Sequence, residues 1–168
     1  MGASAEETIR AVTEADSSAI CEIYNHYIEH SIITFEETPV AVEEMAVRIG
    51  EITAALPWYV FDRAGEVLGY AYASAWKSRC AYRYSAETTV YLAERATGQR
   101  IGTRLYERLI SELRSKSFHN AIGGIALPNE ASVALHESLG FEKVAHFKQV
   151  GWKFDRWIDV GYWELLLT

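Results

Sequence analysis

Cysteine is scarce in this sequence. Its two cysteines, Cys21 and Cys80, lie far apart in a chain of 168 residues. This spacing is typical neither of a zinc site nor of the dense disulfide framework of a small secreted protein. The histidines and carboxylates also lack metal-ligand spacing, so no metal is expected. Reduced thiols in a cytoplasm are the simplest interpretation.

Positive charge is scarce as well. There are 16 Lys and Arg against 23 Asp and Glu, so the formal net charge is -7. Such a surface repels a phosphate backbone, which makes nucleic acid a poor candidate partner. No apolar run reaches membrane-spanning length, and the first residues lack the basic and apolar pattern of a signal peptide. We therefore expect an intracellular protein that has no membrane partner.

Internal repeats, low-complexity stretches and linkers are absent from the sequence. A composition of 49% hydrophobic and 12% aromatic residues supplies enough material for a single core. We predict a short N-terminal tail over residues 1–8 and one domain over residues 9–168.

The spacing of apolar residues predicts four helices. The first follows Asp16, which is a favoured N-cap residue, and the second stops at Pro57. The third covers residues 99–116, and the fourth covers residues 129–139 and is terminated by Gly140. The apolar stripe of the third helix consists of Ile101, Leu105, Leu109 and Leu113.

Strand patterns occur before and between these helices. They cover residues 9–12, 58–62, 67–76, 85–92, 121–126, 142–150 and 157–166. The turn at residues 63–65 makes the second and third strands an antiparallel hairpin. The order of elements predicts the α/β (α+β) class, in which helices cover both faces of a mixed sheet.

The most informative segment covers residues 89–103, where a strand leads through a turn into a helix. Such a turn leaves backbone N–H groups at the positive end of a helix, where they can bind a pyrophosphate. Gly98 and Gly102 allow a ligand to approach the backbone closely. Taken alone, such a segment is more often a plain structural connection.

A second segment, residues 127–141, completes a pattern with the first. Together, and at this separation, the two segments resemble the GNAT acetyltransferase superfamily. The resemblance implies a GNAT fold with a mixed central sheet of about six or seven strands and about four flanking helices. It also implies that acetyl-CoA is the cosubstrate. The first segment would hold the pyrophosphate of coenzyme A, and the second would form the wall beside its pantetheine and thiol.

Residues 23–29, 75–79, 87–91 and 159–163 narrow the resemblance further. They look like the phosphinothricin N-acetyltransferase branch, whose acceptors include methionine sulfoximine and methionine sulfone. This likeness implies a small amino-acid-like acceptor, direct attack by its amino group in a ternary complex, and a homodimer. Assimilation, detoxification and herbicide resistance are all compatible with such an active site.

Two side chains are candidates for proton transfer. Glu87 is the candidate general base, acting directly or through water; it could also anchor the acceptor's ammonium group or be an exposed strand glutamate. His136 lies where many members of the superfamily carry a tyrosine that bonds the coenzyme sulfur, and the branch has histidine there. An imidazole can protonate the departing thiolate, although a structural histidine facing the core is the alternative.

The resemblance also assigns coenzyme contacts. The backbone of Val90, Tyr91 and Leu92 would bind the pantetheine as an added strand does, with one N–H group polarising the thioester carbonyl. Asn129 combines a coenzyme contact with a favoured N-cap position. The remaining predicted coenzyme contacts are Gly98, Gln99, Arg100, Ile101, Gly102 and Thr103.

Four residues are candidates for binding the acceptor together with Glu87. Lys77 and Arg79 can supply positive charge to carboxylate or phosphinate-like oxygens, although an ordinary basic loop has the same composition. Phe35 and Tyr82 are candidates for aromatic walls, although strand aromatics also serve packing.

Two positions depart from the superfamily's phosphate loop. Thr97 replaces a long polar residue, and Arg100 replaces a glycine. A positive φ would strain an arginine at this position. We expect Arg100 to lie in the first turn of the helix instead, with its side chain pointing away. The affinity for coenzyme A is the property that these replacements affect.

Two other functions remain open. The acceptor could be a polyamine, an aminoglycoside or a protein N-terminus, although Lys77 and Arg79 argue against polycations. The chain could also be an acyl-CoA-binding sensor without catalysis, which Arg100 favours.

Overall fold

The computed structural model describes residues 6–167 of the chain. Its strands are β1 (Glu7–Ala11), β2 (Trp58–Arg63), β3 (Glu66–Ala75), β4 (Ser85–Leu92), β5 (Asn120–Leu127), β6 (Glu142–Lys153) and β7 (Arg156–Leu166). Its α-helices are α1 (Ser17–His30), α2 (Val42–Thr53), α3 (Ile101–Ser115) and α4 (Glu130–Ser138). Both the type and the order of these elements confirm the predicted mixed α/β fold.

The seven strands form one sheet in the order β1-β2-β3-β4-β5-β7-β6. Neighbouring strands are antiparallel except β4 and β5, which are parallel. The predicted hairpin between β2 and β3 is confirmed, and Ala64 and Gly65 in its turn both have positive φ angles of 53° and 87°. That geometry matches the right-handed twist of the two strands.

The helices cover both faces of the sheet. Successive strand residues point to opposite faces, so two adjacent residues of β3 show which helix packs on each face of the sheet. The ring of Tyr70 packs against Tyr91, which in turn contacts Tyr24 of α1. A Cβ added at Gly69 would instead lie 3.5 Å from Leu105 of α3. Helices α1 and α3 therefore lie on opposite faces.

Helix α3 is held by the apolar stripe that its sequence predicts. All four residues of this stripe have a relative exposure of 0%, namely Ile101, Leu105, Leu109 and Leu113. Full burial of such side chains contributes about 1.5–3 kcal/mol each, so the stripe fixes the position of α3 against the sheet. The start of α3 is thereby placed beside the carboxyl end of β4.

One predicted boundary needs correction, and one predicted N-cap residue has a different side-chain partner. Strand β1 already begins at Glu7, whereas the predicted tail extended over residues 1–8; residues 1–5 lie outside the described part of the chain. Asp16 does precede α1, but its side chain makes no capping hydrogen bond to that helix. Its carboxylate instead accepts two hydrogen bonds of 2.8 Å from Arg10 and one from the Thr13 N–H. A bidentate ion pair with arginine is stronger than a single hydrogen bond from a helix N–H group, which explains this choice of partner.

Candidate active site

A cleft opens where β4 and β5 separate. The two strands pair at only three positions, of which Glu87 with Ile122 is the last. Strand β4 stays paired with β3 as far as Leu92. The edge of β4 that faces β5 is therefore without a strand partner from Thr88 onward. The carbonyl oxygens of Thr88 and Leu92 on this edge accept hydrogen bonds from the hydroxyls of Tyr106 and Tyr27, and the peptide groups between them are open to a ligand. A cavity of about 750 Å³ lies between the diverging strands.

Beyond the residues that line the cavity, β4 leads directly to the start of α3. A short turn of 3-10 helix, Glu94–Ala96, leads from the strand into residues 97–100. The first N–H groups of a helix have no partner inside it and carry a partial positive charge. The predicted residues Gly98, Gln99, Arg100, Ile101, Gly102 and Thr103 all lie in this turn and the first turn of α3. The side chain of Ile101 is buried, so only its peptide group can serve a ligand.

Arg100 differs from its prediction. It does not lie within the first turn of α3 but immediately before it, with φ 61° and ψ 14°, which is the left-handed region. Gly98 also has a positive φ, of 73°. The turn therefore requires at position 100 the conformation that glycine adopts most easily, and a non-glycine residue there costs about 1–2 kcal/mol.

Gly102 has a packing role. A Cβ added to it would lie 3.3 Å from Cδ2 of Leu135 in α4. The missing side chain lets α3 and α4 approach each other beside the cleft. Gly102 was predicted to let a ligand approach the backbone closely. In the structure, helix α4 of the same chain makes this close approach.

Glu87 lies at the point where the two strands part. Its half-buried carboxylate lines the cleft together with Lys77 and Tyr162. Burial raises the pKa of Glu87, and the positive charge of Lys77 acts in the opposite direction. A carboxyl group with a raised pKa can exchange a proton nearer to neutral pH than an exposed one.

His136 lines the cleft from the opposite face of the sheet. It has a relative exposure of 3%, and burial lowers its pKa. Its Nδ1 lies 2.7 Å from the carbonyl oxygen of Ser132, and its Nε2 lies 3.1 Å from the hydroxyl of Tyr106. A Cβ at Gly123 of β5 would overlap the imidazole, so this glycine provides the space for the ring.

Asn129 joins the end of β5 to α4. Its Oδ1 accepts a hydrogen bond of 3.1 Å from the N–H of Ser132, which confirms it as the N-cap of α4. It also lines the cleft, so a coenzyme contact is compatible with its capping role. Gly140, with φ 88°, follows the end of the same helix as predicted.

The predicted acceptor residues divide into two groups. Phe35 and Lys77 line the cleft, and the Lys77 Nζ lies 4.9 Å from the centre of the Trp76 ring. Gly151 of β6 contacts the ring of Phe35 and leaves no room for a Cβ. Arg79 and Tyr82, by contrast, lie in an exposed segment outside the cleft lining. The segment turns away after Lys77, so Arg79 and Tyr82 are not brought to this cleft.

The structure adds cleft residues that sequence reasoning missed. Tyr162 and Phe147 approach each other with ring centres 5.8 Å apart, and Tyr162 also contacts Trp76 at 5.4 Å. Tyr106 reaches the cleft from α3, where it interrupts an otherwise aliphatic apolar face. A phenol hydroxyl in a buried helix position needs a hydrogen-bond partner, and that was the available signal for Tyr106.

Neither a metal site nor a membrane-spanning helix is found in residues 6–167. No group of three or more His, Cys, Asp or Glu side chains there is placed to hold a metal ion. Within the same range, every helix is too short or too polar to cross a bilayer.

Comparisons with known proteins converge on one family. Residues 9–161 match the model of the acetyltransferase (GNAT) domain. A phosphinothricin N-acetyltransferase of Streptomyces viridochromogenes is 38% identical over 93% of this chain and 85% of its own length. An L-methionine sulfoximine/L-methionine sulfone acetyltransferase of Salmonella typhimurium is 37% identical over 95% of this chain and 94% of its own.

A solved structure agrees with these relatives. A GNAT superfamily phosphinothricin acetyltransferase of Sinorhizobium meliloti, in complex with acetyl-CoA, superposes with a TM-score of 0.92 and 38% identity. The alignment covers 95% of this chain and 88% of that one.

Proposed function

This chain belongs to the GNAT acetyltransferase family, and we propose that it acetylates the amino group of a small amino-acid-like acceptor with acetyl-CoA. Phosphinothricin, methionine sulfoximine and methionine sulfone are the proposed acceptors. The observation that carries the proposal is the position of Glu87, a carboxylate with a raised pKa at the point where β4 and β5 part. A single acetyltransferase domain over residues 9–168 is part of the proposal, since strands from Glu7 to Leu166 share one sheet.

The open edge of β4 suits the pantetheine arm of acetyl-CoA. Its amides can pair with those peptide groups of Val90, Tyr91 and Leu92 that point away from β3, as an added strand would. The pyrophosphate suits the first peptide N–H groups of α3, with Arg100 as a nearby positive charge. These residues orient the thioester towards the point where Glu87 lies.

Glu87 is proposed as the general base. The amine must lose a proton as it attacks the thioester carbon, and a carboxylate with a raised pKa can accept that proton directly or through water. The group works only when ionised, so activity should rise with pH through the raised pKa of Glu87. A peptide N–H group of β4 would stabilise the negative charge that develops on the thioester oxygen.

His136 is proposed to act on the thiol side of the cleft. Its lowered pKa keeps the imidazole neutral at neutral pH. Its Nδ1 must be the protonated nitrogen, because a carbonyl oxygen 2.7 Å away can only accept a hydrogen bond. Any effect of His136 on the leaving sulfur therefore goes through its Nε2 and the group bonded there.

Lys77 and Phe35 are proposed to recognise the acceptor. Lys77 brings a positive charge into the same cleft as Glu87, where it suits the acceptor's carboxylate. Phe35, Phe147 and Tyr162 supply aromatic surface for the rest of a small side chain. An acceptor with one amine, one carboxylate and a short side chain matches this arrangement, and a polycation does not.

Thiol release tests the proposal directly. The purified protein is mixed with acetyl-CoA and phosphinothricin, methionine sulfoximine or methionine sulfone, and free coenzyme A is measured with a thiol reagent. Spermidine, an aminoglycoside and a peptide with a free N-terminus form the comparison panel. We expect turnover with at least one amino-acid analogue above every member of the panel. Turnover confined to the panel would overturn the acceptor, and binding of coenzyme A without any turnover would indicate a sensor.

A homodimer is a further part of the proposal. Exposed apolar side chains concentrate on β6, β7 and their connecting turn, where Val150, Phe154 and Trp157 are 58%, 52% and 58% exposed. Strand β6 is also an edge of the sheet and is 12 residues long. A long apolar edge strand favours pairing with another chain. Trp157→Lys should convert a dimer into a monomer in sedimentation, whereas a monomeric wild type would contradict the proposal.

A cytoplasmic location completes the proposal. Acetyl-CoA is made and consumed inside cells, and Cys80 is an exposed free thiol of the kind that persists in a reducing compartment. Cell fractionation with an antibody to the chain tests this location, and recovery in the periplasmic or secreted fraction would contradict it.

A further inference from the structure

Lys153 is the last residue of β6, and its side chain is buried. Its relative exposure is 2%, although lysine is rarely buried to this extent without a partner for its charge. Burial lowers the pKa of Lys153, and the negative charge of Glu37 acts in the opposite direction. Its Nζ donates a hydrogen bond of 2.8 Å to the carbonyl oxygen of Thr34, 119 positions away in the chain. A buried ammonium group costs free energy unless it is hydrogen-bonded, so this contact is the one that stabilises Lys153 in place.

The segment bonded to Lys153 forms one wall of the cleft. Thr34 lies between α1 and α2, and its hydroxyl is 2.9 Å from the hydroxyl of Tyr24 in α1. Phe35 follows directly and is 41% exposed, whereas Thr34 is only 7% exposed. The ring of Phe35 lines the cleft together with Glu87. The backbone is thus fixed immediately before the aromatic ring that faces the cleft.

Strand β6 contacts this segment at two positions on the same face. Gly151 and Lys153 are two residues apart, so both point to one side of the strand, and both are buried. A Cβ added at Gly151 would overlap the ring of Phe35. Lys153 therefore holds the backbone before Phe35, and Gly151 leaves the space that the ring occupies.

We propose that Lys153 is a positioning residue for the acceptor, whose ammonium group holds the carbonyl group of Thr34 and thereby keeps the ring of Phe35 at the wall of the cleft. This inference rests on the proposed acetyl transfer to a small amino-acid-like acceptor. Lys153 is not among the residues that line the cleft, so its effect on the acceptor goes through Phe35. Loss of the contact should weaken acceptor binding and leave the chemical step and the coenzyme site unchanged.

The variant Lys153→Met tests the proposal, because it removes the ammonium group and keeps an unbranched side chain. We expect the KM for methionine sulfone, or for the acceptor with the highest turnover, to rise by about 3–10-fold. A lost hydrogen bond to a charged group shifts an equilibrium by about tenfold or more, and only the held form of the segment presents Phe35 to the acceptor. The kcat at saturating acceptor and the Kd for coenzyme A in calorimetry should stay within about twofold, since only acceptor binding changes.

Lys148→Met is the matched control, because it removes the same charge from an exposed position of β6. It should leave the KM for the acceptor as in the wild type. An unchanged KM in Lys153→Met, or an equal loss of coenzyme A affinity, would overturn the proposal.

A double variant tests whether the effect passes through Phe35. Phe35→Ala removes the ring, so Lys153→Met should raise the KM no further in this background. A purely structural contribution of Lys153 would instead add its effect to that of Phe35→Ala. Gly151→Ala displaces the same ring while Lys153 stays in place, and it should also raise the KM for the acceptor. Additive effects in the double variant, or an unchanged KM in Gly151→Ala, would contradict the proposed route.

Hydrogen exchange tests the same contact without turnover. A peptide that covers residues 31–37 should exchange its amide hydrogens faster in Lys153→Met than in the wild type or in Lys148→Met, because a released segment opens more often. Equal exchange in all three proteins would overturn the proposal. If the wild type releases no thiol with any acceptor, the proposed function fails, while the exchange result still decides whether Lys153 holds this segment.

Discussion

On one face of the sheet Glu87 enters the cleft without a hydrogen bond from any described residue, whereas on the other face His136 bonds through both ring nitrogens. Burial shifts both groups towards their neutral forms, which raises the pKa of Glu87 and lowers that of His136. The free carboxylate can gain and lose a proton between the amine and water. The fixed imidazole holds neighbouring groups in place. The carboxylate on one face of the cleft can thus exchange protons, whereas the imidazole on the other face is held in a fixed position.

Removing the carboxylate should have the largest effect. Glu87→Gln should lower kcat/KM by about 10²–10⁴-fold, the usual contribution of a general base. The residual activity should need a higher pH, because the amine must then lose its proton to solvent. The wild type should lose activity as the pH falls through the raised pKa of Glu87. Glu107→Gln on the exposed side of α3 is the control, and an unchanged pH profile in Glu87→Gln would exclude Glu87 as the base.

Stability should change in the opposite direction to activity in the same variant. The folded state holds the proton of Glu87 more tightly than the unfolded state, so this residue contributes less stability as the pH rises above its unfolded pKa. Glu87→Gln should therefore be more stable than the wild type at pH 8 and equal to it at pH 3. Urea unfolding at the two pH values measures the difference, and a variant less stable at pH 8 would contradict the assigned shift.

Two adjacent glycines allow each side of the cleft to be disturbed separately. A Cβ at Gly123 would overlap the His136 imidazole, whereas a Cβ at Gly124 would lie 3.1 Å from the Tyr162 ring and 3.6 Å from Glu87 Oε1. Overpacking of a fixed group costs about 1–3 kcal/mol, so Gly123→Ala should lower the free energy of unfolding by that amount. Gly124→Ala should cost less, because the ring of Tyr162 is only partly buried and can shift. Equal losses in urea unfolding would show that both sides are equally rigid.

The pH dependence of stability should separate His136 from Glu87. A lowered pKa means that the unfolded state binds a proton more readily, so stability is full above the unfolded pKa of about 6.5 and falls below it. Each unit of lowering contributes about 1.4 kcal/mol of this loss. His136→Gln should therefore lose less stability than the wild type between pH 7 and pH 5. The exposed His30→Gln should behave as the wild type does, and an identical slope for His136→Gln would show that His136 titrates normally.

Much of the fold could be predicted because its elements repeat local patterns. The stripe from Ile101 to Leu113 defines α3, and alternation and turns define the strands, so every predicted helix and strand is present, most of them with shifted ends. Side-chain partners were less predictable because tertiary contacts decide them. Asp16 does precede α1 as predicted, but Arg10 rather than the helix N-terminus binds its carboxylate.

The candidate site was predictable where the chain carries a contiguous motif. Asn129 lines the cleft, and residues 98–103 lie in the turn before α3 and in its first turn, because strand, turn and helix follow one another directly. Arg79 and Tyr82 lie outside the cleft lining, since the path of a loop after Lys77 depends on packing that no local pattern encodes. Tyr106 was missed for a related reason, because its hydroxyl acquires meaning only when α3, β4 and α4 are brought together.

The smallest expected effect concerns the coenzyme side of the cleft, at the turn before α3. Arg100 has φ 61°, so Arg100→Gly should relieve strain and raise the free energy of unfolding by up to about 1 kcal/mol. Arg100→Ala should not, because alanine keeps the strain while it removes the charge. If the guanidinium binds the phosphates, both variants should weaken coenzyme A binding by a similar factor in calorimetry. Weaker binding in the alanine variant alone would instead show that the turn geometry, and not the charge, sets the affinity.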